Sequence, residues 1–246
     1  MNSVHVEKKR VGLKPAKVNC KNESRMLVKD LISDEIPFAT LNDSCQTVSQ
    51  WLDEFKMTHL PVVNDAGLFA GIITEMALYE IDDWDDKLLK HQSVLEQYAA
   101  AANDHAFDAL LKMANSGASC LAAVDEKGVF VGSISIYRLV KAIGNLSLVS
   151  DKGGIIQLEM NIIDYSLTEI ARIVESNNAR ILGTYITANP DNRKITVTLK
   201  LNKRDVTSIL KTFERYEYTV TGSYQIDESN DGIQDRFDNL MNYLNI

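Results

Sequence analysis

Cysteine is scarce in this chain. Cys20, Cys45 and Cys120 are its only three, an odd number, widely spaced and without a C-x-x-C pair. That pattern argues against a disulfide framework and a zinc site and leaves reduced, mostly buried thiols. No run of 18 or more apolar residues occurs, and the N-terminal lysines are not followed by an apolar stretch, so neither a membrane span nor a secretory signal is legible. The expectation is a cytoplasmic protein with no membrane partner. The four histidines are scattered. There is no Ser/His/Asp or Cys/His order in a familiar local sequence, no phosphate loop and no metal-ligand spacing. These absences point away from an enzyme, with no catalytic residue, no metal and no required cofactor.

What is present suits a packed protein: 45% hydrophobic and 24% charged residues over 246 positions, enough for two domains. The net charge of −8 is unevenly placed. Residues 1–25 hold seven Lys or Arg against Glu7 and Glu23, a net of +5, which leaves −13 for the rest. The acidic body should repel nucleic acid. The basic head has no apolar periodicity and contains Gly12 and Pro15, so it reads as a flexible arm, or as translated leader before a start at Met26.

Sliding the sequence against itself exposes a repeat at an offset of about 61 residues. Without a gap it aligns Ala39 with Ala100, Asn42-Asp43 with Asn103-Asp104, Leu60 with Leu121, Gly67 with Gly128, Gly71 with Gly132, Ile73 with Ile134 and Leu78 with Leu139. In each copy Asn-Asp is expected to cap a helix, with Val48, Trp51, Leu52 and Phe55, or Phe107, Leu110, Leu111 and Ala114, as its core stripe. Two short strands around a turn follow, then a closing helix. One such unit exposes the back of its sheet, so two should pack face to face.

The run Met26-x-Val28-x-Asp30-Leu31, Pro37-x-Ala39, Leu60-Pro61-Val62-Val63, Gly67 and Gly71-Ile72-Ile73-Thr74 closely resembles the CBS repeat, and Leu121-Ala122-Ala123-Val124 resembles it more loosely. The reading is CBS repeat 1 at 26–82 and CBS repeat 2 at 83–146. The resemblance implies a paired Bateman module whose cleft binds an adenine nucleotide or an adenosyl ligand such as S-adenosylmethionine and signals to an attached domain. Backbone edges at Leu60, Pro61, Val62 and Leu121 would hold the base, and Thr40, Thr74 and Ser135 would supply hydroxyls. In the family's Gly-x-x-Thr/Ser-x-x-Asp pattern the ribose carboxylate is replaced here by Ala77 and Arg138. Arg138 reads either as a contact to an anionic ligand or as part of a salt bridge. His59, at a position where the family often has a phosphate-contacting base, reads equally as a partly buried side chain at a strand start. The acidic stretch Glu80, Asp82, Asp83, Asp85 and Asp86 around Trp84 lacks the glycine of an EF-hand and reads as a solvated linker before a helix beginning near Asp85.

After Gly153-Gly154 the pattern becomes strand, helix, strand, strand, helix, strand through residue 226. Ser166 with Glu169 forms a capping box, Asn189-Pro190-Asp191-Asn192 turns a hairpin, and Asn202 is expected to cap the second helix. Behind a CBS pair this region, 153–226, resembles an ACT domain, and the whole is similar to the acetoin-utilisation type of CBS–ACT regulator. The loop Asp164-Tyr165-Ser166-Leu167 stands where amino-acid-binding ACT domains have a glycine, so side-by-side dimerisation is the plainer role. Residues 231–246 repeat Ile233, Phe237, Leu240, Met241 and Leu244 at helical spacing, an amphipathic helix that docks on its own sheet or on a partner subunit. The combined fold class is α+β: two βαββα-type repeats, then a ferredoxin-like βαββαβ domain. The functional reading is a homodimeric regulatory sensor with an unidentified protein partner. Its alternatives are a ligand-free dimerisation scaffold and amino-acid sensing by the ACT-like domain.

Overall fold

The computed structural model describes residues 25–33, 36–188 and 193–225. Most of the basic arm, the hairpin turn 189–192 and the helix expected at 231–246 lie outside them. Two compact units meet at Gly144/Asn145.

In the first unit the two copies have the same build. The first has β1 (Ala39–Thr40), α1 (Cys45–Phe55), β2 (His59–Val63), β3 (Phe69–Thr74) and α2 (Glu75–Tyr79), and the second has β4 (Ala99–Ala101), α3 (Ala106–Ser116), β5 (Cys120–Val124), β6 (Phe130–Ser135) and α4 (Ile136–Gly144). Each sheet is three-stranded, ordered β1-β2-β3 and β4-β5-β6, with the first pair parallel and the second antiparallel.

The expected Asn-Asp caps are displaced by one residue. Ser44 caps α1, its hydroxyl accepting from Thr47 N at 3.2 Å, and His105 caps α3, its Nδ1 accepting from Phe107 N at 3.2 Å. Asp43 and Asp104 serve the preceding turn instead, accepting from Thr40 N (2.7 Å) and Ala101 N (3.1 Å). The α3 stripe is also corrected. Ala106, Ala109 and Met113 are buried, whereas Phe107 and Leu111 are 53% and 61% exposed. In α1, Cys45, Val48 and Leu52 are buried as the helical period requires, and Phe55 is exposed.

The copies exchange the segments that precede them. Val28 N and Lys29 N donate to Asp104 O and Ala102 O, and Ala106 N donates to Met26 O, so 26–29 belongs to the packing of the second copy. Leu88 N and Leu89 N donate to Asp43 O and Leu41 O, and Cys45 N donates to Asp86 O, the same pattern on the first copy. Thus the acidic stretch near 84–86 supplies carbonyls to the N-terminus of α1, where Gln46 N also finds Trp84 O. No α-helix begins at Asp85; a 3₁₀ helix runs from Leu88 to Val94.

In the second unit a short α5 (Ser147–Ser150) precedes β7 (Ile155–Asn161), α6 (Leu167–Ser176), β8 (Ile181–Ala188), β9 (Lys194–Leu201), α7 (Thr207–Arg215) and β10 (Thr219–Tyr224). The antiparallel sheet is ordered β10-β7-β9-β8, the ferredoxin-like βαββαβ arrangement. Its core joins Ile156, Leu158, Val197 and Leu199 to Ile170, Val174, Ile209 and Phe213 from the helices. Ser166 caps α6, accepting from Glu169 N at 3.4 Å. Asn202 does not cap α7. Its Oδ1 accepts from Arg180 N at 2.7 Å, and Asp205 Oδ1 receives Thr207 N at the helix start.

Candidate functional site

The repeats meet along a pseudo-two-fold axis marked by residues one repeat apart. Thr58 Oγ1 donates to Ser119 Oγ at 3.2 Å, Cys120 Sγ donates to His59 O at 3.2 Å, and Phe69 N and Phe130 N donate to Gly128 O and Gly67 O. Across the sheets His59 pairs with Thr74 and Cys120 with Ser135. The fold therefore gathers His59, Thr74 and Ser135 about the axis, with Arg138 at the start of α4. Thr40 is not part of that group. It pairs with Val63 at the far end of β2, and its hydroxyl donates to Asp43 at 2.9 Å.

Leu60, Pro61, Val62 and Leu121 are buried, so a ligand could reach them only through the backbone. Strand pairing permits this in part. β1 covers Val62 and Val63 and β4 covers Ala122 to Val124, which leaves His59–Pro61 and Cys120–Leu121 without a strand neighbour on that side. Thr74 and Ser135 cap the closing helices, accepting from Ala77 N (3.1 Å) and Arg138 N (3.2 Å). Each hydroxyl keeps its proton to donate.

His59 Nδ1 accepts from Ser119 N at 3.4 Å and lies 2.8 Å from Thr58 Oγ1. An Nδ1 that receives an amide proton carries none itself, so the ring is the neutral Nε2–H tautomer. Burial lowers its pKa, opposed in part by Glu96. The residue is thus a neutral donor and no fixed cation for phosphate. Its counterpart Cys120 is buried and its thiol is pushed up to about 12 by desolvation, so it is unreactive. Cys45 is likewise buried and raised; Cys20 lies outside the described residues.

Arg138 is half-buried, and only its backbone amide is engaged, so the salt bridge read as its alternative role is not formed among the described residues. Sequence reasoning missed a shallow hollow of about 350 Å³ lined by Ala101, Asn103, Val124, Asp125 and Lys127, which contains none of the expected site residues. In the second unit residues 164–167 join β7 to α6. Asp164 accepts from Asn161 Nδ2 at 2.8 Å, Tyr165 packs on the core, Ser166 caps α6 and Leu167 is 42% exposed. Among the described residues no group of three or more His, Cys, Asp or Glu stands in metal-holding geometry, and no helix is long and apolar enough to cross a membrane.

Two like βαββα units, exchanging their leading segments about an internal two-fold, define the class of this first unit as a paired-repeat module. Residues 28–81 and 98–145 match the family model of the CBS domain, and the chain carries a CBS domain pair. A homoserine O-acetyltransferase of Methanococcoides burtonii is 26% identical over 117 residues, 48% of this chain and 24% of that protein, so the chain spans about a quarter of the length of this curated relative. Among solved structures, a CBS domain pair/ACT domain protein from Thermotoga maritima is 18% identical with a TM-score of 0.44, covering 48% of this chain and 96% of that one. A CBS domain pair in complex with 5′-methylthioadenosine and S-adenosyl-L-methionine is 24% identical with a TM-score of 0.39, covering 48% and 95%.

Proposed function

We propose that this chain is a homodimeric regulatory protein whose CBS pair binds a phosphate-bearing adenosine ligand beside Ser135 and Arg138 and signals through dimer or partner contacts. CBS pairs are regulatory ligand-sensing modules. The observation that carries the ligand class is Arg138: a half-buried residue whose side chain has no ion-pair partner among the described residues, and whose backbone amide donates to the Ser135 hydroxyl at the end of a strand edge that β4 leaves uncovered. A guanidinium in that setting favours an anionic oxygen. It therefore favours an adenine nucleotide over S-adenosylmethionine, whose sulfonium carries positive charge. The C-terminal unit is read as an ACT-like domain that transmits or dimerises, in the manner of the acetoin-utilisation regulators. No catalytic role is assigned to the matched portion of the homoserine O-acetyltransferase.

The test is a calorimetric titration of the full chain with AMP, ADP, ATP and S-adenosylmethionine. Wild type should bind a nucleotide, and Arg138→Gln should weaken that binding by at least tenfold, since a charge-assisted hydrogen bond is worth about 1.5–3 kcal/mol. Thr74→Ala is the less clean probe, because it also removes a helix cap worth about 1 kcal/mol. Equal affinity in Arg138→Gln would refute the site. No heat with any of the four would support the second reading, a ligand-free interaction scaffold. That reading is favoured by the absence of a ribose carboxylate at Ala77 and Arg138 and by the use of both hydroxyls as caps.

A further inference from the structure

The pseudo-two-fold gives every corner of the first unit a counterpart, so a ligand site built by the second copy has an equivalent place in the first. Strand pairing defines the two places. Leu60, Val62 and Ile73 turn toward the core under α1, so Ile72 and Thr74 on β3, with Pro61 and His59 opposite them on β2, turn to the other face. Glu96 joins that face. It exchanges both backbone hydrogen bonds with Ile72, at 2.8 and 2.9 Å, which sets it opposite Ile72 and two residues from Thr74. In the second copy Ser133 stands one repeat after Ile72, and its antiparallel bridge partner is Ser33, whose amide donates to Ser133 O at 2.8 Å. Glu96 and Ser33 are therefore equivalent in the fold, although the offset of the repeat does not align them.

The equivalent positions differ in charge, each in the same direction. Glu75, directly after the Thr74 cap, corresponds to Ile136 after Ser135; Ala77 corresponds to Arg138, and Glu96 to Ser33. At these positions the first-copy corner carries two carboxylates and the second-copy corner one guanidinium. Glu96 is exposed, and no salt bridge of the described residues neutralises it. Its charge reaches into the corner, where it opposes the lowering of the His59 pKa by burial and adds to burial in raising Tyr98. His59 is neutral and does not offset the acid. A phosphate brought here meets like charge, and like-charge juxtaposition is a strong discriminator between otherwise similar sites.

We propose that Glu96 bars phosphate from the first-copy corner, so that the CBS pair binds one nucleotide per chain, at Ser135 and Arg138, and not two. This rests on the nucleotide reading above and specifies its stoichiometry.

The test is a calorimetric titration of the full chain with AMP, which reports the number of sites as well as the affinity, with folding of each variant checked by circular dichroism. Wild type should bind one AMP per chain. Ala77→Arg with Glu96→Ser places the second copy's residues in the first and should bind two, the added site within about tenfold of the original. Glu96→Gln removes the charge and keeps the shape, so by itself it should tighten the first-copy corner for AMP by about tenfold or more and bring a second, weaker site into range. If the double variant does not fold, Glu96→Gln alone decides. Two AMP per wild-type chain would overturn the inference and leave the nucleotide reading standing. One AMP in wild type and still one in every folded variant would do the same. No AMP bound by wild type would overturn the inference together with the reading on which it rests.

Discussion

The two CBS copies share a backbone plan and differ in how they fill it. Positions held in the first copy by Leu41, Val48 and Val62 are Ala102, Ala109 and Ala123 in the second. Cores pack to a near-constant density, so smaller side chains must be matched by volume from elsewhere. The exchanged segments supply it unequally. Met26, Val28, Leu31 and Ile32 are buried on the second copy, against Leu88 and Leu95 on the first. The second copy resembles its family less in sequence because part of its core lies upstream of the first copy, a dependence that sequence alignment of the repeats cannot display.

The largest expected effect breaks this exchange on the first copy. Gly71 (φ +149°) and Gly132 (φ +150°) occupy a backbone region that favours glycine, and each lies under an exchanged segment. A Cβ on Gly71 would stand 2.6 Å from Leu95 Cβ, next to backbone; one on Gly132 would stand 2.4 Å from Ile32 Cγ2, a side-chain tip that can rotate. Gly71→Ala should therefore cost more than Gly132→Ala, by roughly 1–2 kcal/mol out of about 2–4. Urea unfolding of both variants measures the difference, and equal midpoints would show that the two exchanges are mechanically equivalent.

The next effect separates what the sequence displayed from what it hid. Met113→Ala, at a position 2% exposed, should cost about 2–4 kcal/mol, whereas Leu111→Ala, at 61% exposure, should stay within about 0.5 kcal/mol. The sequence pattern favours Leu111, because Phe107, Leu110 and Leu111 are larger and more apolar than the alanines beside them. The repeat offset points the other way, since Val48 and Leu52 carried forward by one repeat land on Ala109 and Met113. Where the two disagreed, the offset was right and hydrophobicity misled, because the apolar residues it selected lie on the helix surface. If Leu111→Ala proved as costly as Met113→Ala, a partner would have to cover it.

Much of the fold was thus legible: both repeats, their strands and turns, and the βαββαβ order that follows. The segment exchange was not, because it is made by backbone hydrogen bonds from Val28, Lys29, Leu88 and Leu89 that any residues could form. The site was legible only as a neighbourhood. Thr74, Ser135 and His59, candidates on the sequence, lie near one another in the fold, but their use as helix caps and as a neutral acceptor depends on donors such as Ala77 N and Ser119 N that carry no sequence signature. Thr40 lies apart from them at the far end of β2, its hydroxyl donating to Asp43.

The smallest effect tests the copies at their point of contact, where His59 in the first faces Cys120 in the second. Burial holds the folded-state pKa of His59 below its ordinary 6.5, so in acid the unfolded chain binds the proton first. The stability this neutral imidazole contributes is complete above pH 6.5 and is lost as pH falls through 6.5 toward the folded-state value; below that it declines no further. Cys120 cannot add to this, because burial pushes its thiol up to about 12. The melting temperature of wild type should therefore fall more steeply than that of His59→Asn between about pH 8 and pH 5, with the gap opening below pH 6.5. Asparagine preserves an acceptor for Ser119 N without a titrating ring, so the subtraction isolates the His59 imidazole. Parallel curves would mean that His59 is solvated on both sides of folding, and that the axis between the copies is open to water and not sealed by the Thr58, His59 and Ser119 hydrogen bonds.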